Sequence, residues 1–275
     1  MTADIQHRFV TVNEHDLSYD HREGPGDTVI FIHGITTYRF IWRKIMPLLP
    51  GDLNLIAVDL LGCGDSSKPL SVSYSIKNHA NILKEMMDQL ELEQVHLVGH
   101  DVGGGIAQIM AVNHPNSFKT LSLLNSVGHD FWPVQPIITM QTPIIRQLAL
   151  ATLDFGMFRM IVSRGLHNKG ALTKALMDLF LYPMKTQIGR KAFLHFAKCL
   201  DNTDLVEIEA ALNLLNVPTL ILRGDQDVYL SSNIAQKLNR DIPDSTLEIL
   251  EQGGHFFQEE IPTQIVEKLK DQFKK

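Results

Sequence analysis

The sequence predicts an α/β protein: a mostly parallel, twisted sheet with helices on both faces, interrupted once by a helical insertion. Three observations predict it. Short apolar runs rich in β-branched residues alternate with longer helical patterns as far as residue 124. From Asp130 to Asn213 the pattern is helical throughout, and the alternation then resumes. Strands that alternate with helices imply right-handed crossovers and parallel pairing.

The elements follow in order. Phe9 to Val12 and Leu17 to Tyr19 read as an opening antiparallel pair around the turn residues Asn13 to Asp16. Thr28 to His33 is continuously apolar up to its last residue and stops at Gly34, as a strand buried on both faces should. Ile41 to Leu49 is expected to be helical, stopped by Pro50-Gly51, and Asn54 to Val58 is the next buried strand. Ile76, Ile82, Leu83, Met86, Met87 and Leu90 recur at helical spacing. Val95 to Val98 is a strand with a helix, Gly104 to Val112, directly behind it, and Thr120 to Leu124 is a further strand. After the insertion come strands at Pro218 to Leu222 and Thr246 to Leu250, then an amphipathic helix from Pro262 to Phe273. The expected division is a core of residues 1–130 and 214–275, with residues 131–213 as a helical cap. An insertion between two sheet strands near their carboxyl ends is placed to roof a crevice there.

Bulk properties exclude several functions. With 275 residues, 44% of them hydrophobic and 20% charged, the chain is an ordinary globular one that needs no staples. Its net charge of −6 argues against nucleic acid or an anionic membrane as partner. No apolar run approaches the ~20 residues that cross a bilayer. The segment from Ile137 to Leu153 is broken by Gln141, Thr142, Pro143, Arg146 and Gln147. No basic segment leads into an apolar one at the start, so no signal peptide is expected. Cys63 and Cys199 fit two free thiols in a reducing cytosol better than a disulfide. No histidine pair has metal-ligand spacing and no phosphate loop or dinucleotide fingerprint occurs, so neither metal nor cofactor is expected.

The chemistry concentrates in three places. Gly99-His100-Asp101-Val102-Gly103 lies between a buried strand and a helix. A turn that sharp, flanked by small residues, lifts its central side chain to the helix N-terminus, where unpaired N–H groups and the helix dipole meet it. By itself the segment also fits a glycine-rich turn with a helix-capping aspartate. Gly224-Asp225-Gln226-Asp227 and Gly253-Gly254-His255 each follow a strand, where ligands bind in such sheets.

In this order the segments resemble the α/β-hydrolase superfamily, within its aspartate-nucleophile group of epoxide hydrolases and haloalkane dehalogenases. His33-Gly34-Ile35 and Asp59-Leu60-Leu61-Gly62-Cys63-Gly64-Asp65-Ser66 add to the likeness, which covers nearly the whole length outside the cap. The resemblance implies an aspartate nucleophile, Asp101, an acid, Asp227, and a histidine, His255. The family spacing selects Asp227 over Asp225, with Asp130 as an alternative acid. The backbone N–H groups of Ile35 and Val102 would form the oxyanion hole. An aspartate is already ionised at neutral pH. Attack on an ester carbonyl would give an anhydride, whereas attack at a saturated carbon gives an ordinary ester. His255 would then activate water to hydrolyse it.

Candidate substrate or leaving-group contacts are His33, His100, Trp132 and Tyr182. Tyr182 alone is available in the cap as the acid an epoxide oxygen needs, and Val102, beside the nucleophile, lacks the indole N–H that usually holds a halide. Epoxide opening is placed ahead of halide displacement, with water and a small, mostly apolar organic molecule as partners. Two alternatives stand beside these: a non-catalytic or slow ligand-binding protein on the same fold, and hydrolysis of an ester or lactone. The sequence leaves oligomeric state open.

Overall fold

The computed structural model describes residues 4–130 and 156–275. Eight strands, β1 (Gln6–Val12), β2 (His15–Arg22), β3 (Thr28–Ile32), β4 (Asn54–Val58), β5 (Val95–Asp101), β6 (Phe118–Ser126), β7 (Thr219–Gly224) and β8 (Ser245–Leu250), form one sheet. Their order is β1-β2-β4-β3-β5-β6-β7-β8. The β1–β2 and β2–β4 pairings are antiparallel, and all the others are parallel. Every residue of β5 and β7 is buried, as is all of β6 save one partly exposed lysine, so both faces of the sheet centre are covered. That is why these strands read as unbroken apolar runs: each fully buried Val, Leu or Ile adds about 1.5–3 kcal/mol, on both faces alike. The outer β8 is instead exposed or half-buried at every position but Leu250.

Helix α1 (Ile76–Gln89) buries its predicted apolar stripe, with Ser75 accepting from the Asn78 N–H as its N-cap. Helix α2 (Val102–Asn113) follows β5 without an intervening loop, two residues earlier than expected. The segment after residue 155 holds α3 (Met157–Gly165), α4 (Lys174–Leu181), α5 (Gln187–Cys199) and two single-turn helices. Helices α6 (Ser232–Asp241) and α7 (Pro262–Gln272) complete the core. Helix α6 is an addition to the elements expected from the sequence.

The expected helix over 41–49 is instead two 3₁₀ turns, Arg39–Trp42 and Met46–Leu48. Pro47 has no N–H to donate inside an α-helix, and Leu48 N–H closes a tighter turn onto Ile45 O at 3.0 Å. Phe40, Ile41 and Trp42 are buried all the same, so the apolar pattern reported packing rather than helix type. Cys63 and Cys199 are both free. Among the described residues no helix is long and apolar enough to cross a membrane.

Candidate active site

The site begins where β5 becomes α2. Asp101 is the pivot, at φ 55° and ψ −122°. Such a conformation costs a non-glycine residue roughly 1–3 kcal/mol and persists only where its surroundings fix it. Here they do. A Cβ at Gly99 would stand 2.3 Å from Gly103 O, and a Cβ at Gly103 would stand 2.4 Å from Ile32 O. Only glycine lets strand, turn and helix approach this closely. The register with β6 also slips between His100 and Asp101, which turns the carboxylate out of the strand's alternation.

That carboxylate meets the loop after β3. The Ile35 N–H donates to Asp101 Oδ2 at 3.1 Å, and the Val102 N–H also stabilises its charge. The loop is locked from behind by His33, whose Nδ1–H donates to Gly34 O at 2.7 Å while Nε2 accepts from the Leu60 N–H at 3.0 Å. With both ring nitrogens on backbone and the residue buried, His33, expected from sequence as a substrate contact, shapes the loop. Thr37, which sequence reasoning missed, ties the same turn through Gly34 N–H and Gly34 O at 3.2 and 3.1 Å. A hydroxyl three residues beyond Gly34 was the available signal.

His255 stands at the end of the turn after β8. Its Nδ1–H donates to Asp227 Oδ2 at 3.1 Å. Asp227 Oδ1 accepts from the N–H groups of Tyr229 at 2.8 Å and Leu230 at 3.2 Å. The carboxylate thereby fixes the tautomer and leaves Nε2 as the basic nitrogen. Asp225 and Asp130 are exposed, and Asp225 accepts only from the neighbouring Gln226 side chain among the hydrogen bonds of the described residues. Of the three candidate acids, Asp227 alone reaches the imidazole.

Two further side chains hold the backbone of that turn. His100 Nε2–H donates to His255 O at 2.9 Å. Asn125 Nδ2 donates to Gly254 O at 2.9 Å and His255 O at 3.1 Å, while its Oδ1 accepts from the Gly224 N–H at 2.9 Å. His100 is thus another expected substrate contact that serves the scaffold; burial, with His255 nearby, pushes its pKa down to about 3, so it stays neutral. Tyr182 is 44% exposed and its hydroxyl donates to Asp65 Oδ1 at 2.7 Å, so this hydroxyl is committed away from a leaving group. Trp132 lies outside the described residues.

Charge in the site is strongly coupled. Burial raises the Asp101 pKa above the ordinary carboxylate value, opposed by His255 and the two N–H donors. Burial also works against ionised Asp227, but His255 and the backbone donors overcome it and hold that carboxyl below its usual range. Burial disfavours the His255 imidazolium too; Asp227 first, then Asp101, outweigh it and raise the pKa above 6.5. The arrangement can therefore present an anionic oxygen and, close enough to feel its charge, a base with a defined tautomer. Among the described residues no group of three or more His, Cys, Asp or Glu side chains is gathered as a metal would require.

A family model described as alpha/beta hydrolase fold matches residues 27–262. The chain is 29% identical over 267 residues to an uncharacterised hydrolase, YugF, of Bacillus subtilis, covering 96% of each chain. It is 27% identical over 280 residues to a cis-3-alkyl-4-alkyloxetan-2-one decarboxylase of Shewanella oneidensis, covering 97% of this chain and 87% of the other. Among solved structures, an ancestral haloalkane dehalogenase superposes with a TM-score of 0.84 at 26% identity, covering 96% of this chain and 97% of that one.

Proposed function

The chain belongs to the alpha/beta hydrolase family and is an enzyme of that fold related to haloalkane dehalogenases, and within that group we propose a hydrolase that uses the Asp101 carboxylate as nucleophile. Asp101 attacks a saturated carbon of a small, mostly apolar substrate, expelling the leaving group and forming an alkyl ester. His255, oriented by Asp227, takes a proton from water, which adds to the ester carbonyl. The N–H groups of Ile35 and Val102 hold the resulting oxyanion, and collapse returns the Asp101 carboxylate and releases an alcohol or diol. One observation carries this reading: a carboxylate on a strained elbow, fastened by the Ile35 N–H at 3.1 Å, within the field of an imidazole bonded to Asp227 at 3.1 Å.

The expected cap, residues 131–213, lies outside the described residues over 131–155, and the free thiols suit a cytoplasmic setting. The first expected electrophile, an epoxide, loses an argument once the Tyr182 hydroxyl is engaged by Asp65. Halide displacement gains from the dehalogenase likeness, and neither Val102 nor Tyr182 selects between them.

A second reading, a four-membered lactone, is favoured by the likeness to the oxetanone decarboxylase. There Asp101 would displace the ring carboxylate, a leaving group that needs no proton donor. Loss of CO₂ would then form a C=C bond and expel Asp101 without a water step.

The test is His255→Ala treated separately with styrene oxide, bromobutane and a dialkyl β-lactone, with intact mass and peptide mapping. Hydrolysis predicts an adduct that accumulates on Asp101. Normal turnover of the lactone to alkene by the same variant selects the second reading. No adduct and no product from any of the three, with wild-type protein equally inert but binding the compounds, selects a ligand-binding protein.

A further inference from the structure

We propose that Glu260 is a positioning residue for the base: its carboxylate joins the Gly254–His255 turn to the end of α3, so that the seat of the imidazole depends on how that helix is docked. The proposal rests on reading His255 as the base.

Three connections meet at the end of α3. Gly165 O, at its C-terminus, accepts from the His255 N–H at 2.7 Å and the Phe256 N–H at 3.4 Å. Glu260 Oε2 accepts from the Gly254 N–H at 2.9 Å, while Oε1 accepts from the Asn168 N–H at 2.6 Å, three residues past the helix. The Tyr229 hydroxyl donates to Ile161 O at 2.7 Å, one turn back, and its ring stands edge-on to His255 at 5.2 Å between centroids. The last carbonyls of a helix lack intrahelical partners. Here the base loop supplies the partners of Gly165 O, and the acid loop adds a second contact one turn back.

The fit is tight as well as polar. A Cβ at Gly254 would stand 2.5 Å from Gly165 O and 2.6 Å from His167 N, so the turn lies directly on the chain leaving α3. Glu260 is half-buried; burial raises its pKa, and the Asn168 and Gly254 N–H groups and His167 draw it back toward the charged form. A carboxylate accepts from both N–H groups at once. An amide offers one oxygen and must turn its NH₂ toward the other donor.

Glu260→Gln is therefore the test. Misplacing a catalytic group by about an ångström costs on the order of 100-fold, so hydrolysis of the Asp101 ester should slow about 10- to 100-fold, while ester formation, which His255 does not serve, stays within about threefold. Rapid-quench mass spectrometry with styrene oxide or bromobutane reads both steps. Hydrogen exchange at the Gly254 and His255 amides should quicken. Asn168→Pro, at a residue whose φ of −79° proline can adopt, removes the other donor and should act in the same direction if Glu260→Gln folds poorly.

Unchanged exchange and an unchanged ratio of the two steps overturn the proposal. So does equal slowing of both steps, which marks a merely structural residue. If wild-type protein forms no Asp101 adduct, the reading of function fails instead. Glu260 is then judged on the imidazole NMR titration of His255: a displaced midpoint in Glu260→Gln supports positioning, and an unmoved one overturns it.

Discussion

Gly34→Ala separates the two halves of the proposed reaction. A Cβ there would lie 2.6 Å from both Cβ and Oδ2 of Asp101 and 3.0 Å from its Cγ. Non-bonded carbon atoms prefer about 3.5–4.0 Å; the elbow is pinned by the close approaches at Gly99 and Gly103, so it is the loop that must withdraw, by roughly 1 Å. The Ile35 N–H···Oδ2 bond, already 3.1 Å long, does not survive that shift. Loss of one such donor costs about 10²–10³ in rate, or ~2.7–4 kcal/mol.

The loss falls unevenly. During ester formation, negative charge leaves the carboxylate, so the N–H stabilises the ground state at least as much as the transition state. During ester hydrolysis, charge builds on the carbonyl oxygen, and the same N–H stabilises the transition state. Gly34→Ala should therefore slow ester hydrolysis by about 10²–10³ and ester formation by less than about tenfold, so that the Asp101 ester accumulates. The backbone at Gly34 is outside the left-handed region, so alanine adds no torsional strain there. Rapid quench with intact-mass detection measures both rates, and thermal melting checks the fold. Equal slowing of both steps, or turnover within about threefold of wild type, would refute the assignment of Ile35 as an oxyanion donor.

Two further outcomes follow from the charges. His255 must be neutral to accept a proton, so hydrolysis of the ester falls as pH drops through its pKa. Esterification removes the Asp101 charge that helps to raise that pKa, so the acid limb of ester hydrolysis, read by single-turnover kinetics, should lie below the His255 titration seen by NMR in the free enzyme. Coincident midpoints would deny the coupling. Asp101→Asn should stabilise the fold while abolishing ester formation. The folded-state pKa of Asp101 is raised, so its penalty is absent below the unfolded value near 3.8 and complete above the folded one. Measured above the His255 pKa, where no imidazolium offsets the carboxylate, that relief should raise Tm, by about 2–4 °C for each ~1 kcal/mol; a lower Tm would show the carboxylate to be structurally required.

The parts legible in the sequence are those that local pattern determines. β3 to β7 declare themselves because burial on both faces demands unbroken apolar runs. The elbow declares itself because Gly99 and Gly103 are required by contacts within the turn and with the adjacent strand. Asp227 and His255 follow from chain order. Partners of polar side chains were not legible. Tyr182 looks like a free cap acid until the fold brings it to Asp65, 117 residues away. His33 and His100 look like site histidines until both are found bonded to backbone across neighbouring segments. The 3₁₀ turns at 39–48 share their apolar spacing with a helix, and only Pro47 hinted otherwise.

The site also divides by what holds it. His100 at the end of β5, Asn125 at the end of β6 and Gly224 at the end of β7 converge on the turn carrying His255. Asn125, at a positive φ of 38°, bonds to two carbonyls of that turn and to the N–H of Gly224. Its amide grips the main chain and not the imidazole, so it holds the turn that carries His255. Asp101, the His255 turn and the Ile35 N–H, to which the proposed reaction assigns its three tasks, are thus fixed by strand ends in the sheet, where displacement of any one breaks packing on both faces. No comparable scaffold among the described residues presents a donor to a leaving group: Tyr182 answers to Asp65, and His33 and His100 answer to backbone. Under the proposed reading the displacement chemistry is held by the sheet ends, and selection of the leaving group falls to residues beyond them.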